Sequence, residues 1–283
     1  MAQLENKNPL AGFFRQPRIY VALPSNGQFY PAGSIDMPKT QELPIFAMTA
    51  KDELMMKTPD ALLNGTSTVE VIRSCVPNIK DPWKMPSIDI DAILCAIRIA
   101  TYGHGMDVSS TCPSCSAHNE HTVDLRVVLD NLRSIKFESR LVIDDIIVVN
   151  LAPLTYEQIS KASLKIFEHQ RIFSIVNDQT LSDEEKVKLF QTSFVKLTDL
   201  TFETVAQSIT SVETPDGSTD NKAYIIEFLR NTDKQVFNKL NKLLEDTKKA
   251  STMAGLDVEC TDCQHKYQIT LTLDQSDFFG KGF

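Results

Sequence analysis

With 283 residues, 42% hydrophobic and 23% charged, the chain can bury a sizeable core and has the composition of a folded protein of one or two domains. A net charge of −8 argues against a nucleic-acid binder that relies on whole-protein charge. No apolar run approaches the roughly 20 residues of a membrane span and the first residues lack a secretory pattern, so folding in a reducing cytoplasm is expected.

Residues 1–18 form no periodic pattern and place Phe13 and Phe14 beside Arg15 and Arg18, which reads as an arm or a tail. Ile19–Leu23 is a short strand ended by a Pro-Ser-Asn-Gly turn, Phe29-Tyr30-Pro31 continues extended, and Leu43–Met48 is a further strand. Thr49 opens a helix with Asp52 and Glu53 in its first turn and Leu54, Met55 and Met56 as its core run. Thr58-Pro59-Asp60 starts a second short helix ended at Asn64-Gly65, and Ser67 caps a third with Val69, Val71, Ile72 and Val76 as apolar positions. Ser87 caps a helix to Tyr102 that is apolar around most of its circumference and must be buried. Cys75 and Cys95 fall on such helices and read as core residues.

Beyond a short helix or turn at Val127–Leu132, Leu141–Ile143 and Ile146–Val149 make a hairpin through Asp144-Asp145. Thr155 with Gln158 is a capping box that opens a helix running toward Val176. Leu181-Ser-Asp-Glu-Glu185 opens another, with Val187, Phe190, Phe194 and Leu197 as its stripe. Val205–Val212 reads equally as strand or as continued helix, and 214–220 as a loop. Helices follow at Lys222–Arg230 and Asp233–Lys249, the latter with Val236, Leu240, Leu243 and Leu244 on one face.

The repeated motif is a pair of C-x-x-C knuckles, Cys112-Pro-Ser-Cys115 and Cys260-Thr-Asp-Cys263. Gly105-Met-Asp-Val108 leads into the first and Gly255-Leu-Asp-Val258 into the second, and each is followed by an alternating apolar run. Each half therefore reads as strand, knuckle, strand, and two facing knuckles make a four-thiolate site of the zinc-ribbon type with sulfurs about 2.3 Å from the metal. The competing readings are an iron–sulfur cluster, local turns with unligated thiols, and disulfides, which a reducing compartment disfavours. A closed four-cysteine set has no open position for substrate, so Cys112, Cys115, Cys260 and Cys263 are expected to hold a structural Zn2+. His118 and His121 lie beside the first knuckle, but the second cysteine pair makes them unnecessary as ligands.

The fold class expected is α+β: a split zinc-ribbon-like β element, a helical N-terminal region and a helical insertion between the knuckles. The boundaries read as 1–41, an arm with short strands; 42–135, a helical region with the first knuckle; 136–254, a hairpin and helical insertion; and 255–283, the second knuckle and an aromatic C-terminal arm. Phosphate-loop, dinucleotide-binding, H-E-x-x-H and G-x-S-x-G motifs are missing from the sequence, so no catalytic residues are assigned and no enzyme is expected.

The run from Glu42-Leu-Pro-Ile-Phe-Ala-Met-Thr-Ala-Lys-Asp-Glu through Leu62-Leu-Asn-Gly65, then Cys75-Val-Pro-Asn-Ile-Lys-Asp-Pro-Trp83 and Ile97-Arg-Ile-Ala-Thr-Tyr-Gly-His-Gly105, resembles the baseplate hub proteins of T-even-type contractile-tailed bacteriophages. The likeness is clearest over residues 42–130. It implies a non-enzymatic virion component of the tail baseplate, assembled in the host cytoplasm among other baseplate and tail proteins and possible copies of itself, with no nucleic-acid partner and no membrane span. An assembly factor absent from the virion and a zinc-ribbon regulator of nucleic acid or polymerase are the alternatives.

Overall fold

The computed structural model describes residues 9–57, 65–144, 146–174, 182–252 and 255–269. The helix start at Thr58-Pro59-Asp60 and the C-terminal aromatic segment lie outside the described residues. The architecture is α+β, with two buried clusters that have different partners.

The first cluster surrounds a helix that is buried for a simple reason. Ser87–Tyr102 carries Ile88, Ile90, Ile93, Leu94 and Ile97 around its axis and has no wholly polar face to offer water. Against it pack the antiparallel strands β1 (Pro17–Val21) and β2 (Leu43–Phe46), the helices α1 (Ala50–Met56) and α2 (Thr66–Cys75), and α4 (Leu125–Arg133), the buried helix itself being α3. Cys75 and Cys95 are fully buried in this cluster, as core residues. Thr49 caps α1 through a capping box with Asp52, although of the expected core run only Met56 is buried, while Leu54 is 68% exposed.

Two expected caps move. Helix α2 begins at Thr66 with Gly65 as N-cap, and α3 begins at Ser87 with Pro86 as N-cap. Gly65 has φ of 77°, and a Cβ there would stand 2.9 Å from Ser160 Oγ and 3.0 Å from Tyr156 Oη, so only glycine fits the approach. Ser67 is instead buried and donates to the Met55 carbonyl at 2.9 Å. Phe29-Tyr30 is also not extended. Phe29 turns at φ of 68°, and the Tyr30 hydroxyl donates to Asp89 on α3 at 3.0 Å. Ser25 adds its backbone N–H at 2.8 Å and its hydroxyl at 2.6 Å to the same buried carboxylate.

The second cluster sits under a four-stranded antiparallel sheet in the order β5 (Arg140–Ile143), β6 (Ile147–Leu151), β7 (Ile209–Thr214), β8 (Gly217–Thr219). The expected hairpin is its first half, and the stretch read as a loop at 214–220 supplies β8. Helix α7 (Lys222–Asn231) and the apolar face of α8 (Lys234–Ser251) close it with Ile225, Leu229 and Leu240 buried. Asn221 and Asp233 cap these two helices with their side chains. Helix α8 also packs on α3, which joins the two halves of the molecule.

Between the clusters runs a helical hairpin of α5 (Tyr156–Ser174) and α6 (Asp183–Ser208). Both starts were legible: Thr155 with Gln158 and Ser182 with Glu185 form reciprocal capping boxes. Helix α6 continues to Ser208 and hands over directly to β7, which settles the 205–212 stretch as half helix, half strand. Of its apolar stripe, Val187, Phe190 and Phe194 are exposed and Leu197 is half-buried, while the buried residues described on this helix are Ser193, Leu200, Val205, Ala206 and Ser208.

Candidate metal centre

The two knuckles are built alike from their backbones. In the first, β3 (Gly105–Thr111) and β4 (His118–Asp124) pair antiparallel, and in the second β9 (Leu256–Glu259) and β10 (Lys266–Ile269) do the same. The Cys112 N–H donates to the Ala117 carbonyl at 2.9 Å and the Ser116 N–H to the Cys112 carbonyl at 2.9 Å. The Cys260 N–H donates to the His265 carbonyl at 2.9 Å and the Gln264 N–H to the Cys260 carbonyl at 3.0 Å. In both, the residue after the second cysteine turns left-handed, Ser116 at φ of 62° and Gln264 at 58°. The repeat in sequence is thus a repeat in backbone, with Cys112 and Cys260 buried and Cys115 and Cys263 exposed.

The knuckles face one another. Cys112 Sγ lies 3.7 Å from Cys263 Sγ, and Cys115 Sγ lies 3.6 Å from Cys260 Sγ. All four sulfurs are within 4.8 Å of one another. These separations are far beyond the S–S bond length of about 2.0 Å, and all six cysteines are free thiols. A tetrahedron with metal–sulfur distances of about 2.3 Å has edges of about 3.8 Å. The four residues therefore fit one tetrahedral ion.

Their electrostatics point the same way. The Cys263 N–H, the Asp262 N–H and the Asn119 amide favour the Cys260 thiolate over the cost of burial and draw its pKa down to about 6. Cys115 moves up to about 12: the Ala117 N–H favours its thiolate, but the facing thiols of Cys263, Cys260 and Cys112 and partial desolvation outweigh it. The Cys260 and Cys115 sulfurs are thus pushed in opposite directions, a conflict that a divalent cation removes.

Two residues that sequence reading passed over tie the knuckles together. Asn119 is 2% exposed; its amide nitrogen donates to the Ala117 carbonyl at 3.0 Å and to Cys260 Sγ at 3.5 Å. Its oxygen accepts from the Thr261 N–H and the Thr261 hydroxyl, both at 2.9 Å. Tyr267 returns the gesture, with its hydroxyl 2.7 Å from Ser110 Oγ on β3. Asn119 and Tyr267 stand at the same offset from Cys112 and Cys260, which is the only sequence signal that could have found them. His118 and His121 are outside the cluster of ligand atoms; His121 packs edge-on against Tyr267 with ring centroids 6.4 Å apart.

Arg15 anchors the N-terminal arm. Arg15 donates to the Ser74 carbonyl at 2.6 Å, the Ser74 hydroxyl at 2.7 Å and the Ala47 carbonyl, with Asp52 at 3.5 Å. Just ahead of it, Phe13 ends a 3-10 turn and is 86% exposed, with Phe14 59% exposed. Neither ring folds back on the protein's own core.

A mixed helix–strand body whose two ribbons bring four cysteine sulfurs together defines an α+β protein with a cysteine cluster that could hold a metal ion. The chain belongs to the T4 bacteriophage base plate protein family, whose model it matches over residues 18–280. That span includes the helical hairpin and the second knuckle, and it begins after Arg15. No curated protein and no solved structure matches. Membership supports a place in the virion tail baseplate and contact with other baseplate proteins. No helix among the described residues is long and apolar enough to cross a membrane.

Proposed function

We propose that the protein is a non-enzymatic structural subunit of a contractile tail baseplate, in the hub or the adjoining wedge, clasped by one Zn2+ and joined to its neighbours through its ends. The family match over residues 18–280 carries this reading. The four sulfurs support the metal and its role: Cys112 and Cys115 would hold it from one ribbon, Cys260 and Cys263 from the other, closing a loop across about half of the chain. With the thiolates within 4.8 Å of one another, the space among them suits a single ion better than the irons and sulfides of a cluster. A charged cleft forms between α5 and Pro82–Lys84, and both of its acids have partners: Asp81 accepts from the Trp83 N–H at 3.2 Å. Glu157 pairs with Lys161 at 2.6 Å and Lys84 at 2.5 Å, and these hold its pKa down to about 2.

Mass spectrometry of purified particles of the encoding phage, with elemental analysis of the expressed protein, tests the reading. The expected result is a fixed ratio of this protein to other baseplate components. Absence from finished particles favours an assembly factor instead, and a shift of DNA or RNA at low salt favours a regulator.

A further inference from the structure

We propose that Asn26-Gly27 is a site of spontaneous deamidation, and that Ser25, held by Asp89, guards it by occupying the Gly27 N–H. This goes beyond the baseplate reading and does not depend on the metal. The pair lies in the connection between β1 and β2. The Gln28 N–H donates to the Ser25 carbonyl at 3.0 Å, so Asn26 and Gly27 take the two central positions of a four-residue turn. Both are left-handed, Asn26 at φ of 52° and Gly27 at 77°. Positive φ at both centres is the setting that favours Asn-Gly over other pairs. A side chain at position 27 is opposed by that φ and by Met37, whose Cγ would lie 2.8 Å from a Cβ. The turn therefore calls for this dipeptide.

The same dipeptide is chemically labile. Asparagine is a thermolabile residue, and a following glycine has no side chain to hinder attack on it. The Gly27 nitrogen gives its proton to solvent base and adds to Asn26 Cγ. The new N–C bond closes a five-membered succinimide, the carboxamide C–N bond breaks, and ammonia leaves. Water then opens the ring to aspartate or isoaspartate. The attacked half is accessible: Asn26 is exposed, and its carboxamide has no hydrogen-bond partner among the described residues.

The attacking half is held. The Gly27 N–H donates to Ser25 Oγ at 3.1 Å. That hydroxyl donates in turn to Asp89 at 2.6 Å, and the Ser25 N–H donates to the same carboxylate at 2.8 Å. Ser25 is 4% exposed and Asp89 is fully buried, so the chain of bonds runs from the turn into the core. With its proton directed at Asp89, Ser25 Oγ offers Gly27 a lone pair. Succinimide closure needs a Gly27 nitrogen that has lost its proton and turned toward the Asn26 side chain. A nitrogen whose proton sits in this bond does neither, so the chemistry waits for the turn to open. Isoaspartate would add a carbon to the main chain at the centre of the turn, and the bond from Gln28 to Ser25 could not close over it. The product is thus a turn released from Asp89.

Incubation of the full chain at neutral pH, folded and in urea, followed by peptide mapping with mass spectrometry, tests this. Asn26 should convert to the acid more slowly in the folded protein than in urea. Ser25→Ala should speed the folded rate by about fivefold or more, the equivalent of one hydrogen bond, and leave the rate in urea unchanged. The sequence's other Asn-Gly pair, Asn64-Gly65, is read in the same digest and should not respond to Ser25→Ala. A rise shared by both pairs would mark general unfolding of the variant, and amide exchange at Gly27 in the wild type then decides, because a guarded N–H exchanges slowly. Free exchange at Gly27 overturns the proposal. So does a folded wild type that deamidates at Asn26 as fast as the chain in urea, or a folded Ser25→Ala no faster than the wild type.

Discussion

The Asn119 amide nitrogen lies 3.5 Å from Cys260 Sγ, although 141 positions separate them in the chain. The same side chain accepts two hydrogen bonds from Thr261, so it fixes the second knuckle's turn and supplies an N–H to its buried sulfur. Groups of this kind around a metal set ligand orientation and typically carry about 10- to 100-fold in affinity. Asn119→Ala should therefore still bind zinc but release it to a competing chelator at least about tenfold faster than the wild type. Stopped-flow release into a chromogenic chelator measures this, and equal rates would show that Asn119 only braces the fold.

Protein expressed in a reducing cytoplasm should carry about one zinc per chain by elemental analysis, with cobalt substitution giving the spectrum of a tetrahedral four-thiolate site. Iron with strong visible absorbance would point to a cluster, and metal-free protein of native stability would remove the clasp.

Cys260→Ser leaves the cage with three thiolates and takes away the sulfur at which Asn119 and two backbone N–H groups converge. Because a structural site's binding energy is folding energy, stability should fall by several kcal/mol in a chemical melt, the β9–β10 ribbon loosening first. A variant that melts like the parent would mean that the two knuckles share no metal.

Arg15→Ala should free the arm. Asp52 is 4% exposed and would keep Thr49 and Ser74 as donors while losing its cation, at a cost of about 1–3 kcal/mol. In the isolated wild-type protein, limited proteolysis should cut ahead of Arg15. In the variant the cuts should move inward toward β1, and particle incorporation should drop if Phe13 and Phe14 are docking anchors. An unchanged cleavage pattern would show that Arg15 does not anchor the arm.

Asp89 predicts a pH dependence with a definite sign. Burial, offset in part by the hydrogen bonds from Ser25 and Tyr30, raises its carboxyl from 3.8 to about 6. The folded protein thus takes up this proton at a pH where the unfolded chain has already lost it. Stability from this group is fully present below about 4 and is lost as pH rises through about 6, by about 3 kcal/mol in all. Asp89→Asn should flatten that part of the curve. The difference between variant and wild-type stabilities across pH 4 to 7 isolates it from metal loss, which acts in both. A difference that is constant over that range would contradict the assignment.

Much of this fold is written in short stretches of sequence. The capping boxes at Thr49, Thr155 and Ser182 each join residues three apart. The all-round apolar helix from Ser87 had to be buried wherever it lay, and the repeated C-x-x-C frames pointed to the four cysteines that cluster because each knuckle is a local turn. What the tertiary structure decided was direction and distance. Gly65 rather than Ser67 begins α2 because Tyr156 and Ser160 press against that backbone from a hairpin 90 positions on. Spacing shows that α6 has an apolar stripe but not which neighbour it meets, and Val187, Phe190 and Phe194 on it are exposed. Arg15 on Ser74 and Asn119 on Thr261 are hydrogen bonds across the chain, and no local pattern encodes them. A residue's own propensity reaches only a turn or so along the backbone; a donor that finds its acceptor far along the chain is placed by the packing of everything between them.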